Sequence, residues 1–90
     1  MFTVQDVLEN KKELQQLRTE KRIKVAIRLI LADKKAYDKT LYYAVNYCKY
    51  ALDMSGEELR VQCLYILNNI THWRGEGNKE VRKLLKDFTK

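Results

Sequence analysis

The side chains of this chain best suited to meet a ligand are cationic and aromatic. Lys21, Lys24 and Arg28 recur at steps of three and four, and Lys35 follows seven residues later. On a continuous helix this spacing lines all four along one strip. Such a strip either solubilises the surface or contacts phosphates, releasing their counterions. A second cationic group, Arg82, Lys83 and Lys86 with Lys79 beside it, lies near the C-terminal end. Lys83 and Lys86 also fall late in their segment, where a helix dipole favours cations, so part of this group has a purely structural explanation. Tyr43, Tyr47, Tyr50 and Met54 follow at steps of four, three and four, a seam-like row beside an apolar face. Three uses of the row stay open: packing beneath the first helix with hydroxyls at the rim, a homodimer or partner interface, and stacking on bases.

Catalytic groups are few. His72 is the only histidine, and as an acid or base it needs partners from elsewhere in the chain. Glu57 and Glu58 are adjacent but are already useful at a helix start. No phosphate-binding glycine loop, Gly-x-Gly-x-x-Gly or Gly-x-Ser-x-Gly occurs. Cys48 and Cys63 lack Cys-x-x-Cys spacing, so neither a metal nor a cofactor is expected. Each cysteine falls in an apolar stripe and reads as a buried free thiol in a reducing compartment, with a disulfide between neighbouring helices left open.

The elements that must position these groups are helices. The chain has no proline, and its three glycines all lie after residue 55, so the turn residues of a small β protein are missing. The expected fold is all-α: one domain over residues 1–90, a compact bundle of four to five helices at about 4–18, 20–34, 38–53, 56–73 and 79–88. Met54 to Trp73 is its centre. Ser55 and Glu58 have capping-box spacing, and Met54 with Leu59 forms a hydrophobic staple. Leu59, Cys63, Ile66, Leu67, Ile70 and Trp73 form one apolar stripe. Val61, Leu64 and Tyr65 point elsewhere, and a helix apolar on two sides is central to a bundle or shared with a partner. In the first segment Thr3 with Asp6 suggests a cap, and Val4, Val7, Leu8, Leu14 and Leu17 an apolar edge. The stripe changes face near Thr19, where a bend is expected, and continues as Ile23, Ala26, Ile27 and Ile30. Val25, Leu29 and Ala32 cover another side. Asp38 is expected to cap the third helix, whose core face holds Tyr37, Leu41, Ala44, Val45, Cys48, Ala51 and Leu52. Asn78 is expected to cap the last, with Val81, Leu84, Leu85 and Phe88 inward.

Charged residues at 33% and apolar residues at 46% suit a globule and not a disordered chain. The net charge of +6 is uneven: residues 1–35 hold nine Lys/Arg and five Asp/Glu, 36–73 three and four, and 74–90 six and three. Both ends are basic and the tyrosine-rich middle is nearly neutral. No secretory leader is evident and no apolar run, Leu29 to Ala32 included, is long enough for a membrane, so a soluble cytoplasmic protein is expected. Function is expected to be non-catalytic binding of a polyanion, nucleic acid or a phosphate-bearing nucleotide, by the cationic helix surfaces of a homo-oligomer. The alternative is a protein–protein adaptor or inhibitor of the phage or mobile-element type. It would act through the tyrosine row and the face of Val61, Leu64 and Tyr65.

Overall fold

In the computed structural model the backbone is described from Val4 and the side chains from Arg18 to Lys90. The apolar edge from Val4 to Leu17 and the Thr3–Asp6 cap lie outside the described residues. Four helices follow in order: α1 (Val4–Ala32), α2 (Ala44–Ala51), α3 (Gly56–Asn68) and α4 (Asn78–Phe88). No strand occurs among the described residues. Each helix packs on its neighbour in the chain, and α4 returns against α1. The result is a closed ring of four, with the α1–α4 pair on one side and the α2–α3 pair on the other.

α1 runs through Thr19 as one continuous helix and is not divided there into two segments. Its 29 residues include neither glycine nor proline, and a change of apolar face alone does not break a hydrogen-bonded ladder. Ile23, Ala26, Ile27 and Ile30 are buried, each 0–1% exposed, on the inward face. The helix stops at Ala32. The Tyr37 hydroxyl donates to the Leu31 carbonyl, one of the last carbonyls that lack a partner within the helix.

The third predicted helix begins later than Asp38. Lys34–Ala36 form a 3₁₀ turn, and residues 37–43 continue as turns, with the Leu41 amide donating to the Ala36 carbonyl at 2.9 Å. Thr40, Tyr42 and Tyr43 are weak helix formers, and no Asp38 side chain caps the segment. Only the eight residues of α2 remain helical. Leu41, Ala44, Val45, Cys48 and Ala51 are buried as the periodicity requires.

The capping box at α3 does not form. Ser55 occupies the N-cap position with extended backbone, but its side chain makes no capping bond. The acceptor comes from α1 instead: Gly56 N–H donates to Glu20 Oε1 at 2.6 Å. Glu20 is 6% exposed, and it sits on the same inward face as Ile23 and Ile27. A carboxylate at a helix N-terminus satisfies both an orphan amide and the dipole. Gly56 itself takes φ +57°, a conformation that disfavours side-chain-bearing residues.

α3 also ends earlier than Trp73. Asn69 Nδ2 donates to the Tyr65 carbonyl at 2.7 Å, drawing it out of the helical ladder. Ile70 and Trp73 are nevertheless buried, presented by successive turns in place of a helix. The Trp73 indole N–H donates to Asp33 Oδ2 at 2.8 Å, pinning this loop to the end of α1. Gly75 lies against that pair: a β-carbon there would sit 2.5 Å from Asp33 Oδ2.

The N-cap of α4 is Gly77, at φ +75°, and not Asn78. The Asn78 side chain donates backwards to the Gly75 carbonyl at 2.8 Å and accepts from Arg82. Val81 and Leu85 anchor the helix in the core, each worth roughly 1.5–3 kcal/mol of burial. Leu84, read as inward, is 38% exposed.

Candidate functional site

Two surfaces of different chemistry emerge, on opposite sides of the ring. The first is cationic and belongs to α1 and α4. Lys21 and Arg28 are exposed and Lys24 is half-buried, and the unbroken helix keeps the three along one strip. Lys35 departs from that strip, because α1 ends at Ala32 and Lys35 belongs to the 3₁₀ turn. On α4, Lys79, Lys83 and Lys86 stand opposite Val81 and Leu85, all exposed, with Lys90 one turn beyond. At 1.5 Å per residue the helical part of this lysine ridge, Lys79 to Lys86, is about 10 Å long. With Arg82 and Asp87 its residues line a shallow groove of about 420 Å³. Of the four ridge lysines only Lys90 has, among the described residues, an acidic neighbour within ion-pairing range, Asp87 at 3.6 Å.

Arg82 shares that groove but is committed to the chain itself. Its Nη1 donates to Asn78 Oδ1 at 2.5 Å, and its Nη2 donates to the Ile70 carbonyl at 2.7 Å and to the Trp73 carbonyl. Burial, together with the nearby Arg74 charge, holds its pKa below the ordinary arginine value. The guanidinium thus serves the carbonyls of the loop between α3 and α4, and its part is positioning. Arg74 supports the same turn, donating from Nη1 to the Thr71 and Trp73 carbonyls at 2.9 and 3.0 Å.

The second surface is aromatic and belongs to α2 and α3. Tyr42, Tyr43 and Tyr50 are 63%, 71% and 67% exposed, so they do not pack beneath the described part of the first helix. Tyr42 and Tyr43 meet edge to face with ring centres 5.0 Å apart. Tyr47 stacks on Tyr65 across the two helices, centres 5.7 Å apart and planes at 27°. That stack makes one surface of the tyrosine row and the second face of the central helix. Gln62, 8% exposed, supports it from below by donating to the Tyr47 carbonyl at 2.9 Å. Leu64 and Tyr65 are exposed, while Met54 and Val61 are half-buried at the edge. A cleft of about 590 Å³ is lined by Tyr42, Tyr43, Asn46, Tyr47 and Tyr50, without a charged side chain.

Groups with catalytic potential stay apart. His72 is exposed in a third recess of about 410 Å³, near Lys35, Lys39 and Arg74, and Asp33 there is bound to Trp73. The Glu57 carboxylate is gripped by Arg60 Nε and Nη2, and this hydrogen-bonded pairing lowers the Glu57 pKa. Cys48 and Cys63 are free thiols, both fully buried. Burial pushes each pKa up to about 12, with the neighbouring Cys63 adding to the effect on Cys48. No group of three metal-ligating side chains occurs among the described residues. None of their helices is long and apolar enough to cross a membrane.

The positioning residues Glu20 and Gln62 do not stand out as site residues from composition. Their signal is positional: each is a polar residue in register with an inward apolar face. No protein-family model, curated protein or solved structure matches this chain.

Proposed function

We propose that the protein is a non-catalytic module that binds the phosphate backbone of nucleic acid through the outer faces of α1 and α4. The observation that carries this reading is the lysine ridge Lys79, Lys83 and Lys86, continued by Lys90 just past the helix end, on a helix packed beside the one bearing Lys21, Lys24 and Arg28. Lysines along one helix edge track a charged backbone as point charges and carry no base-reading geometry. α4 offers no Asn or Gln on its outer face for base edges, so sequence-independent binding is the expected mode. The tyrosines, across the ring, are poorly placed to stack bases held by these cations. Two buried unpaired thiols suit a reducing, cytoplasmic setting.

Fluorescence anisotropy with a short labelled DNA duplex, titrated at several salt concentrations, tests the proposal. Expected is non-specific affinity of about 10⁻⁴–10⁻⁶ M that falls steeply with salt. Lys79→Gln/Lys83→Gln should flatten the logarithmic salt slope by up to about two. Absence of binding at low salt refutes the reading. A second reading, a protein–protein adaptor or inhibitor of the mobile-element type, is favoured by one observation, the uncharged tyrosine cleft. It predicts no salt-dependent nucleic-acid binding at all.

A further inference from the structure

The tyrosine face is extensive, and no charged side chain lines its cleft, in contrast to the basic remainder of the protein. At about 150–250 Å² per tyrosine, Tyr42, Tyr43, Tyr47, Tyr50 and Tyr65 at their exposures, with Leu64, present on the order of 600 Å². That is at the upper limit of what a typical monomer leaves uncovered, and it approaches the roughly 800 Å² that each partner gives to a standard interface.

We infer that this face holds a second copy of the same chain in an isologous, two-fold arrangement, tyrosine cleft against tyrosine cleft. Three observations choose that occupant. First, a two-fold contact sets like against like, so it must be self-complementary. Tyrosine hydroxyls and the Asn46 amide both donate and accept, and the rings pack on one another. Second, the chain carries +6, and any contact through α1 or α4 would set lysines against lysines. The segment holding this face, residues 36–73, has three Lys/Arg against four Asp/Glu, and no charge lines the cleft. Two copies approach here without like-charge cost. Third, a polyanion would find aromatic rings but no cation in the cleft. The dimer is argued from the tyrosine face alone and stands whether or not the cationic faces bind nucleic acid. Such a dimer carries its two α1–α4 surfaces outward on opposite sides, and so bridges two segments of any polyanion they bind.

Sedimentation analysis of the full chain in about 0.5 M salt, where surface charges are screened, tests the inference. Expected is a particle of twice the 10.8 kDa chain mass. Tyr43→Glu/Tyr50→Glu places acids against acids across the two-fold and is expected to weaken association at least about 100-fold, with the helical circular dichroism unchanged. Lys79→Gln/Lys83→Gln should remain dimeric. Photo-oxidative cross-linking of the unaltered chain gives a readout free of folding effects, and should join peptides that contain residues 42–50. A monomer at all concentrations overturns the inference and returns this face to a different protein partner. A folded Tyr43→Glu/Tyr50→Glu variant that stays dimeric, or cross-links confined to other peptides, overturns it equally.

Discussion

Replacing Glu20 by alanine, and separately Ser55 by alanine, asks which residue caps α3. The local sequence nominates Ser55; the structure nominates Glu20, 36 residues away in the chain. Glu20→Ala removes a charge-assisted bond to the Gly56 amide, a class worth about 1.5–3 kcal/mol, and leaves that half-buried amide unpaired. Loss of the side chain's packing adds to this, while release from burying a carboxylate offsets part of it. The expected cost is about 2–3 kcal/mol, or about 10–20 °C in Tm for a chain of this size. Glu20→Gln keeps an acceptor but loses the charge, and should cost about 1 kcal/mol. Ser55→Ala should cost less than about 0.5 kcal/mol, against the 0.5–2 kcal/mol of a working Ser cap. Urea unfolding followed by circular dichroism, with m unchanged across the set, gives the comparison directly. If Ser55→Ala costs more than Glu20→Ala, the inter-helix cap is refuted and the capping box is restored.

Gly75→Ala should destabilise the chain by about 2 kcal/mol or more and shift Trp73 emission, because a β-carbon enters the space of the Asp33–Trp73 pair; unchanged emission and stability would contradict that packing. Arg82→Ala should cost about 2–3 kcal/mol in unfolding experiments through the stranded loop carbonyls, whereas Lys83→Ala should be nearly neutral, and equal effects would argue against the positioning role. Cys48 and Cys63 should resist thiol reagents at pH 8 until the protein unfolds, and prompt labelling of the folded chain would contradict their burial. Their raised pKa values also set a pH limit. The unfolded chain loses these protons near pH 9 and the folded chain only near 12, so the thiols' own contribution to stability should be constant below about 9 and fall above it.

Helix type and inward faces were largely legible from periodicity. Ile23, Ala26, Ile27, Ile30, Leu59, Cys63 and Ile66 are buried where the three- and four-residue steps put them. Helix ends were not, for a consistent reason. Ser55, Asp38 and Asn78 have capping side chains at good spacing, but the groups that finish these segments come from afar or from the backbone: Glu20, the Ala36 carbonyl and Gly77. Spacing reports local opportunity, and tertiary contacts decide which opportunity is used. Ile70 and Trp73 keep helical register although they lie in turns, so periodicity overran the true end of α3. The exposure of the tyrosine row was open at the sequence level because Tyr suits a core rim and an interface alike. Arg82 carries the same charge as its lysine neighbours at matching spacing, and only the path of the preceding loop assigns its guanidinium to the carbonyls.

The closing of the ring by α4 has a consequence for synthesis. Of the four helices α1 leaves the ribosome before the others, yet one of its two flanking helices, α4, comes after all three, and the loop holding Trp73 lacks the guanidinium that serves its carbonyls until residue 82 has been translated. A nascent chain stalled anywhere before that codon therefore exposes the Ile23–Ile30 stripe, and chaperone capture or proteolysis should concentrate on such intermediates.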